Sequence, residues 1–213
     1  MFIVFEGIDG SGKTTQAKLL YEHMKKNGKV LLTDEPTRSY IGVFVHGILR
    51  SKIKIDPLAL QLLFTADRAE HVSSFIKPKL EKGYTIISDR YYLSTIVYGS
   101  SSGIDAEWLK KANESFVKPD LTFVIDIDPK SAIDRLRNRE HDTEYFDEIK
   151  FLSVARKKFL ELSKADKSCF IIDGSRSKEE ISEEIIKIVE RNNKKAVNGR
   201  VSKQYIERNK NKK

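Results

Sequence analysis

Eight residues, Gly7-Ile8-Asp9-Gly10-Ser11-Gly12-Lys13-Thr14, constrain the fold of this chain more than any others. They fit G-x-x-x-x-G-K-[ST] at every fixed position, a pattern that carries meaning only between a strand and a helix. Both neighbours are in place. Phe2 to Glu6 is an apolar run that reads as a buried strand. Lys13 to Asn27 carries Ala17, Leu20 and Met24 at helical spacing, with Gly28 as a stop. Each element of the pattern has a physical task. The glycines let the backbone curl so that successive N–H groups converge on one anion. The helix N-terminus adds the positive end of its dipole. Lys13 supplies a point charge for β and γ phosphates, and the Thr14 hydroxyl can coordinate Mg2+. This loop, continued by Thr15, reads as the ATP-binding segment of a phosphotransferase.

The alternation continues along the chain. Val30–Thr33, Tyr84–Ser88, Leu121–Ile127 and Ser168–Ile172 read as further strands. Helices are expected over Tyr40–Arg50, over Pro57–Lys82 with a break near Lys77-Pro78, and in a stretch ending near Val117. Three more are expected over Lys130–Glu140, Glu148–Ala165 and Ser177–Asn192. The last opens on a Ser-x-x-Glu capping box, Ser177 and Glu180. Five apolar strands separated by helices imply an α/β fold whose parallel sheet is covered on both faces. Ligands of such sheets sit beyond the strand C-termini. The polar signatures Glu35–Arg38, Asp89-Arg90 and Asp173-Gly174-Ser175 all follow strands.

A chain of 213 residues suits a single domain of this kind. Its net charge of +8 would suggest a nucleic-acid partner, but the charge is unevenly spread. Residues 192–213 hold eight of the 39 Lys/Arg and one of the 31 Asp/Glu, leaving 31 basic and 30 acidic residues in the rest. Residues 1–191 are therefore read as one catalytic domain and 192–213 as a basic tail, and nucleic acid is not an expected partner. The single Cys169, within an apolar run, reads as a core residue of a reducing compartment. No run approaches the length of a membrane helix and no secretory signal is visible, so a cytoplasmic location is expected.

Three constellations refine the chemistry. Asp89, at a strand end near the loop, can hold Mg2+ through water, and Arg90 can pair with phosphate; a surface ion pair is the plainer alternative. Phe64 and Arg68 share a helix face, as a base-reading pair would, or as a core residue beside a surface charge would. Arg135, Arg137 and Arg139 precede a polar stretch reaching Asp147, and a segment about 137–147 could close as a lid over a phosphoryl group. A solvated basic face is the other reading.

Together these segments resemble the thymidylate kinase family. The resemblance rests on Phe5–Gln16, Glu35-Pro36-Thr37-Arg38, Phe64-Thr65-Ala66-Asp67-Arg68, Asp89–Ser94 and Val97-Tyr98, in the family's order, and spans about residues 1–190. It implies a three-layer P-loop kinase fold and Mg-dependent transfer of a phosphoryl group from ATP to dTMP. It implies that Asp9 contacts the sugar 3′-hydroxyl, that Arg38 and Arg90 hold the monophosphate, and that Phe64 stacks on thymine. Arg68 would bond the base, Ser94 would lie near it, Tyr98 would sit under the sugar, and the turn at Asp173 would lie near adenine. The family divides by the position of a catalytic arginine, in the phosphate loop or in the lid. Gly10 stands at the loop position here, so the resemblance implies the lid type, with Arg135, Arg137 and Arg139 as candidates beside Lys13 and Arg90. It also implies a homodimer, through helices such as Tyr40–Arg50 and Pro57–Lys77. Three positions depart from the family's habit: Gly99 where Gln is frequent, His46 where Arg is frequent, and Asp142-Thr143 where the lid often has Asp-Arg. Another nucleoside monophosphate or deoxynucleoside kinase is the alternative. A switch GTPase lacks support, because Asn193-Lys194-Lys195-Ala196 has no base-reading Asp.

Overall fold

The first strand, β1 (Phe2–Glu6), is buried along its whole length. It lies at the centre of a five-stranded sheet of order β2-β3-β1-β4-β5, whose other members are β2 (Val30–Asp34), β3 (Thr85–Asp89), β4 (Leu121–Asp126) and β5 (Cys169–Asp173). Every pairing is parallel. The computed structural model describes residues 1–51, 54–136 and 143–193. The basic tail from residue 194 onward lies outside them.

Side chains on β1 alternate between two covered faces, as the two-residue period of a strand requires. Ile3 and Phe5 pack with Ala17 and Leu20 of α1 (Lys13–Met24) and with Ile181, Ile185 and Val189 of α9 (178–193). Phe2 and Val4 face the other way, toward Val72 and Ile76. On that second side, Val97 of α5 (Tyr92–Ser101), Ile133 of α7 (Pro129–Leu136) and Phe159 of α8 (Thr143–Lys164) share a core with Ile8 and Val124. The result is the three-layer α/β arrangement expected.

Between β2 and β3 run α2 (Tyr40–Arg50), α3 (Pro57–His71), a π-helical turn over Val72–Ile76 and α4 (Lys77–Glu81). The expected break thus comes one turn ahead of Pro78. Proline offers no N–H to the carbonyl four residues back and its ring crowds that carbonyl, so the helix widens before it. Asp56 caps α3, its carboxylate accepting from Leu58 N and Ala59 N. α6 (Ala106–Asn113) leads into β4. The Ser177/Glu180 box forms as expected, Ser177 N donating to Glu180 Oε2 at 3.0 Å and Glu180 N to Ser177 Oγ at 3.3 Å. α1 ends at Met24, short of Asn27, and α8 starts at Thr143 rather than near Glu148. Cys169 is half-buried, and burial pushes its thiol up to about 11, which fits an unreactive side chain.

After β1 the chain runs to the edge strand β2, returns to β3 beside β1, then crosses to β4 and β5 on the other side. The crevice this reversal leaves beyond the C-terminus of β1 is where the phosphate loop begins.

Candidate active site

The loop from Gly7 to Thr14 curls between β1 and α1. Gly12 caps α1 from the left-handed region, and Gly10 lies at φ 76°. A Cβ at Gly10 would stand 2.1 Å from the Ala132 carbonyl oxygen of α7. No side chain fits there, so an arginine cannot occupy this position without displacing α7. Lys13 folds back and its Nζ donates to Ile8 O at 2.8 Å. Burial lowers its pKa to about 8, assisted by the nearby positive charge of Arg90 and opposed by Asp9, Asp89 and Glu6. An anion in the loop would favour its charged form.

A cleft of about 610 Å³ opens over this loop. Asp9 to Thr15 line it, with Asp89 and Arg90 after β3, Arg135 of α7, and Gly174, Arg176 and Lys178 beyond β5. Gly7 and Ile8 do not line it; Ile8 is buried in the core beneath. Arg135 Nη2 donates to Gly174 O at 3.1 Å, tying α7 to the turn after β5. Arg137 and Arg139 lie outside the described residues, as does the start of the expected lid.

A second cavity of about 330 Å³ adjoins the first, walled by Phe64 and Arg68 of α3 and by Ser94 and Tyr98 of α5. Asp9, Glu35, Pro36 and Arg90 line both spaces. Arg90 is the hinge of the arrangement. Its backbone has φ 71°, rare for a residue with a side chain. Two hydrogen bonds hold it so: its N–H donates to Phe5 O at 2.8 Å, and Ser88 Oγ donates to its carbonyl at 2.8 Å. The guanidinium then reaches Ser94 Oγ at 2.9 Å, pairs with Asp9 and lies over the Tyr98 ring. Tyr98 donates to Asp9 Oδ2 at 3.3 Å. Burial alone would raise the Asp9 carboxyl, but Arg90 and Lys13 outweigh it and hold it below the usual carboxylate range.

Arg68 and Phe64 both reach the second cavity, as their shared helix face requires. Arg68, however, is 2% exposed and largely committed to protein. It pairs with Glu35, and its Nη1 donates to Thr95 Oγ1 at 3.1 Å and Asn113 Oδ1 at 2.7 Å. Arg38 is exposed and lines neither cavity. Several contributors were missed from the sequence. Asp67 accepts from Thr37 N and Thr37 Oγ1 at 2.7 and 2.6 Å and from Ser39 Oγ at 2.9 Å, fixing the loop that carries Glu35 and Pro36. It lay inside a segment already singled out, beside Arg68. Gln61 precedes Phe64 by three residues and so shares its face. Phe151 of α8 closes the cavity and stacks on Tyr98 with ring centroids 6.0 Å apart. It comes from a distant element, and no local pattern marks it.

A sequence model of the thymidylate kinase family matches residues 5–185. The probable thymidylate kinase of Sulfolobus acidocaldarius is 43% identical over 194 residues, covering 89% of this chain and 96% of the relative. That of Thermococcus kodakarensis is 39% identical over 199 residues, covering 89% and 97%. The chain belongs to the thymidylate kinase family. Membership makes it a phosphotransferase with ATP-dependent kinase chemistry, which typically uses a divalent metal.

The residues present fit a metal. Thr14 Oγ1 donates to Asp89 Oδ2, and the other carboxylate oxygen, Asp89 Oδ1, is buried without a hydrogen-bond partner. A hydroxyl and a carboxylate beside a phosphate loop form the sparse oxygen set that a divalent ion completes with phosphates and water. Among the described residues no three His, Cys, Asp or Glu side chains cluster as a self-sufficient metal cage.

Proposed function

We propose that this thymidylate kinase family member transfers the γ-phosphoryl group of ATP to the 5′-phosphate of dTMP, with Mg2+ as the metal. One observation carries this reading: a cleft over the phosphate loop and a smaller aromatic-walled cavity share the Asp9–Arg90 pair as a common wall. A triphosphate bound in the first and a monophosphate in the second would meet at that wall.

Two anionic substrates repel each other, so the protein must gather both and spread the charge of the group in transit. Lys13 and the loop N–H groups hold the phosphates of ATP, with Thr15 at the start of α1. Thr14 and Asp89 would hold Mg2+, and the ion would supply positive charge to the phosphate oxygens. Arg90 binds the monophosphate and, with Arg135, faces the transferring group. Arg137 and Arg139 are proposed to add to this charge from the lid. Asp9 and Tyr98 meet the sugar, Phe64 stacks on thymine, and Arg68 and Ser94 approach the base. Arg38 is a monophosphate ligand only if its exposed side chain swings inward. No general base is needed, because a phosphate monoester is already an anionic nucleophile.

The assembly proposed is a homodimer. Tyr40, Val43 and Phe44 of α2 are 99%, 57% and 60% exposed and lie on one helix face, and Leu58 and Leu62 of α3 continue the apolar surface. Among the described residues no helix is long and apolar enough to cross a membrane. A cytoplasmic site of action is part of the proposal.

A coupled ADP-release assay over a panel of nucleoside monophosphates tests the reaction. Turnover of dTMP well above that of dCMP, dAMP and dGMP is expected. Inert dTMP alongside an active purine monophosphate would overturn the base assignment.

A further inference from the structure

Gln61 is only 5% exposed, yet it lines the smaller cavity. Its Oε1 is buried and has no hydrogen-bond partner. Such an oxygen loses its water without recovering a bond, and native cores rarely leave one so. The aliphatic stem of Gln61 lies close against α5. A Cβ on Gly99 of α5 would stand 3.0 Å from Gln61 Cγ and 2.7 Å from Leu109 Cδ1. The absence of a side chain at 99 therefore leaves room for the stem of Gln61. On the α3 surface Gln61 lies three residues before Phe64 and seven before Arg68, so the three share one stripe facing α5.

From this we infer that Gln61 is a base-reading residue: its carboxamide hydrogen-bonds the edge of the pyrimidine stacked on Phe64. A carboxamide carries one acceptor and two donors side by side. A thymine or uracil edge offers an N3–H donor flanked by carbonyl acceptors. The two can pair in a cyclic, two-bond arrangement, and the orphaned oxygen then finds the N3–H. Arg68 is poorly placed to read the edge by itself, because Glu35, Thr95 and Asn113 already take most of its donors. This inference rests on the dTMP reading above.

Calorimetric titration of the wild-type chain and Gln61→Met separates the possibilities, with dTMP and 2-deoxyribose 5-phosphate as the probes. Methionine keeps the length and removes both polar atoms. The expected result is a 10- to 100-fold weaker Kd for dTMP, the span of one or two lost buried hydrogen bonds. The base-free sugar phosphate should bind both proteins alike. If dTMP binds the variant within twofold of wild type, or if both ligands weaken equally, Gln61 does not read the base. Should Gln61→Met fail to fold, Gln61→Ala takes its place under the same criteria. Failure of the wild-type chain to bind dTMP would instead sink the proposed substrate, so the two failures are distinct.

Discussion

Glu6 ends the central strand with no exposure to solvent. Its Oε1 accepts from Tyr91 N at 2.9 Å and Ser94 N at 3.1 Å, and its Oε2 accepts from Ser94 Oγ at 2.5 Å. Burial raises its pKa from 4.5 to about 7, against the Ser94 hydroxyl and the charge of Arg90. The folded value lies above the unfolded one. Its contribution to stability is therefore complete below about pH 4.5 and is lost as pH rises through about 7. Glu6→Gln has no proton to lose and keeps an acceptor for both backbone N–H groups. Wild type should therefore lose on the order of 3 kcal/mol relative to the variant between pH 5 and 8. In a chain of this size that is a relative fall in melting temperature of about 10 °C. Parallel pH profiles for the two proteins would show that Glu6 does not titrate in that window. Glu6 was legible as a strand residue only. Its burial depends on neighbours from β3 and β4, which no local pattern names.

At the scale of elements, the strands and most helix cores were legible because burial imposes a period that the residue order displays. Thr85–Asp89 and Cys169–Asp173 differ from expectation by one residue. Helix ends were harder, since they depend on local competition between caps and turns. The π turn at Val72–Ile76 is a case of such competition, resolved by Pro78 downstream. The family resemblance pointed to α2 and α3 as dimer helices, but the exposure of their apolar side chains was not readable from the residue order. Phe44→Glu tests their proposed role. Light scattering should give the mass of two chains for wild type and of one for the variant, with helix content by circular dichroism unchanged. A wild-type mass of one chain at micromolar concentration would end the dimer proposal.

For the molecule as a whole, the two cavities either form one bisubstrate site or they do not. A compound joining adenosine and thymidine through a five-phosphate bridge distinguishes the cases. At 100 times its Kd it should stabilise the fold by about 2.7 kcal/mol, raising the melting temperature by about 5–10 °C. It should compete with both ATP and dTMP. Competition with only one substrate would mean that the Asp9–Arg90 wall does not join the sites.

The phosphate loop, the parallel α/β architecture and the shared face of Phe64 and Arg68 follow from the residue order alone, because they depend on contiguous patterns: a glycine spacing, a hydrophobic period, a helix face. The family resemblance also marked Gly10 as the place where a loop arginine is missing. Only the tertiary structure decided why, since the clash there is with Ala132 of a helix more than a hundred residues away. Only the tertiary structure, likewise, spent most of the donors of Arg68 on Glu35, Thr95 and Asn113, and brought Phe151 onto Tyr98. A hydrogen-bond partner or a packing neighbour is selected by distance in space, and a parallel sheet places far-separated segments side by side.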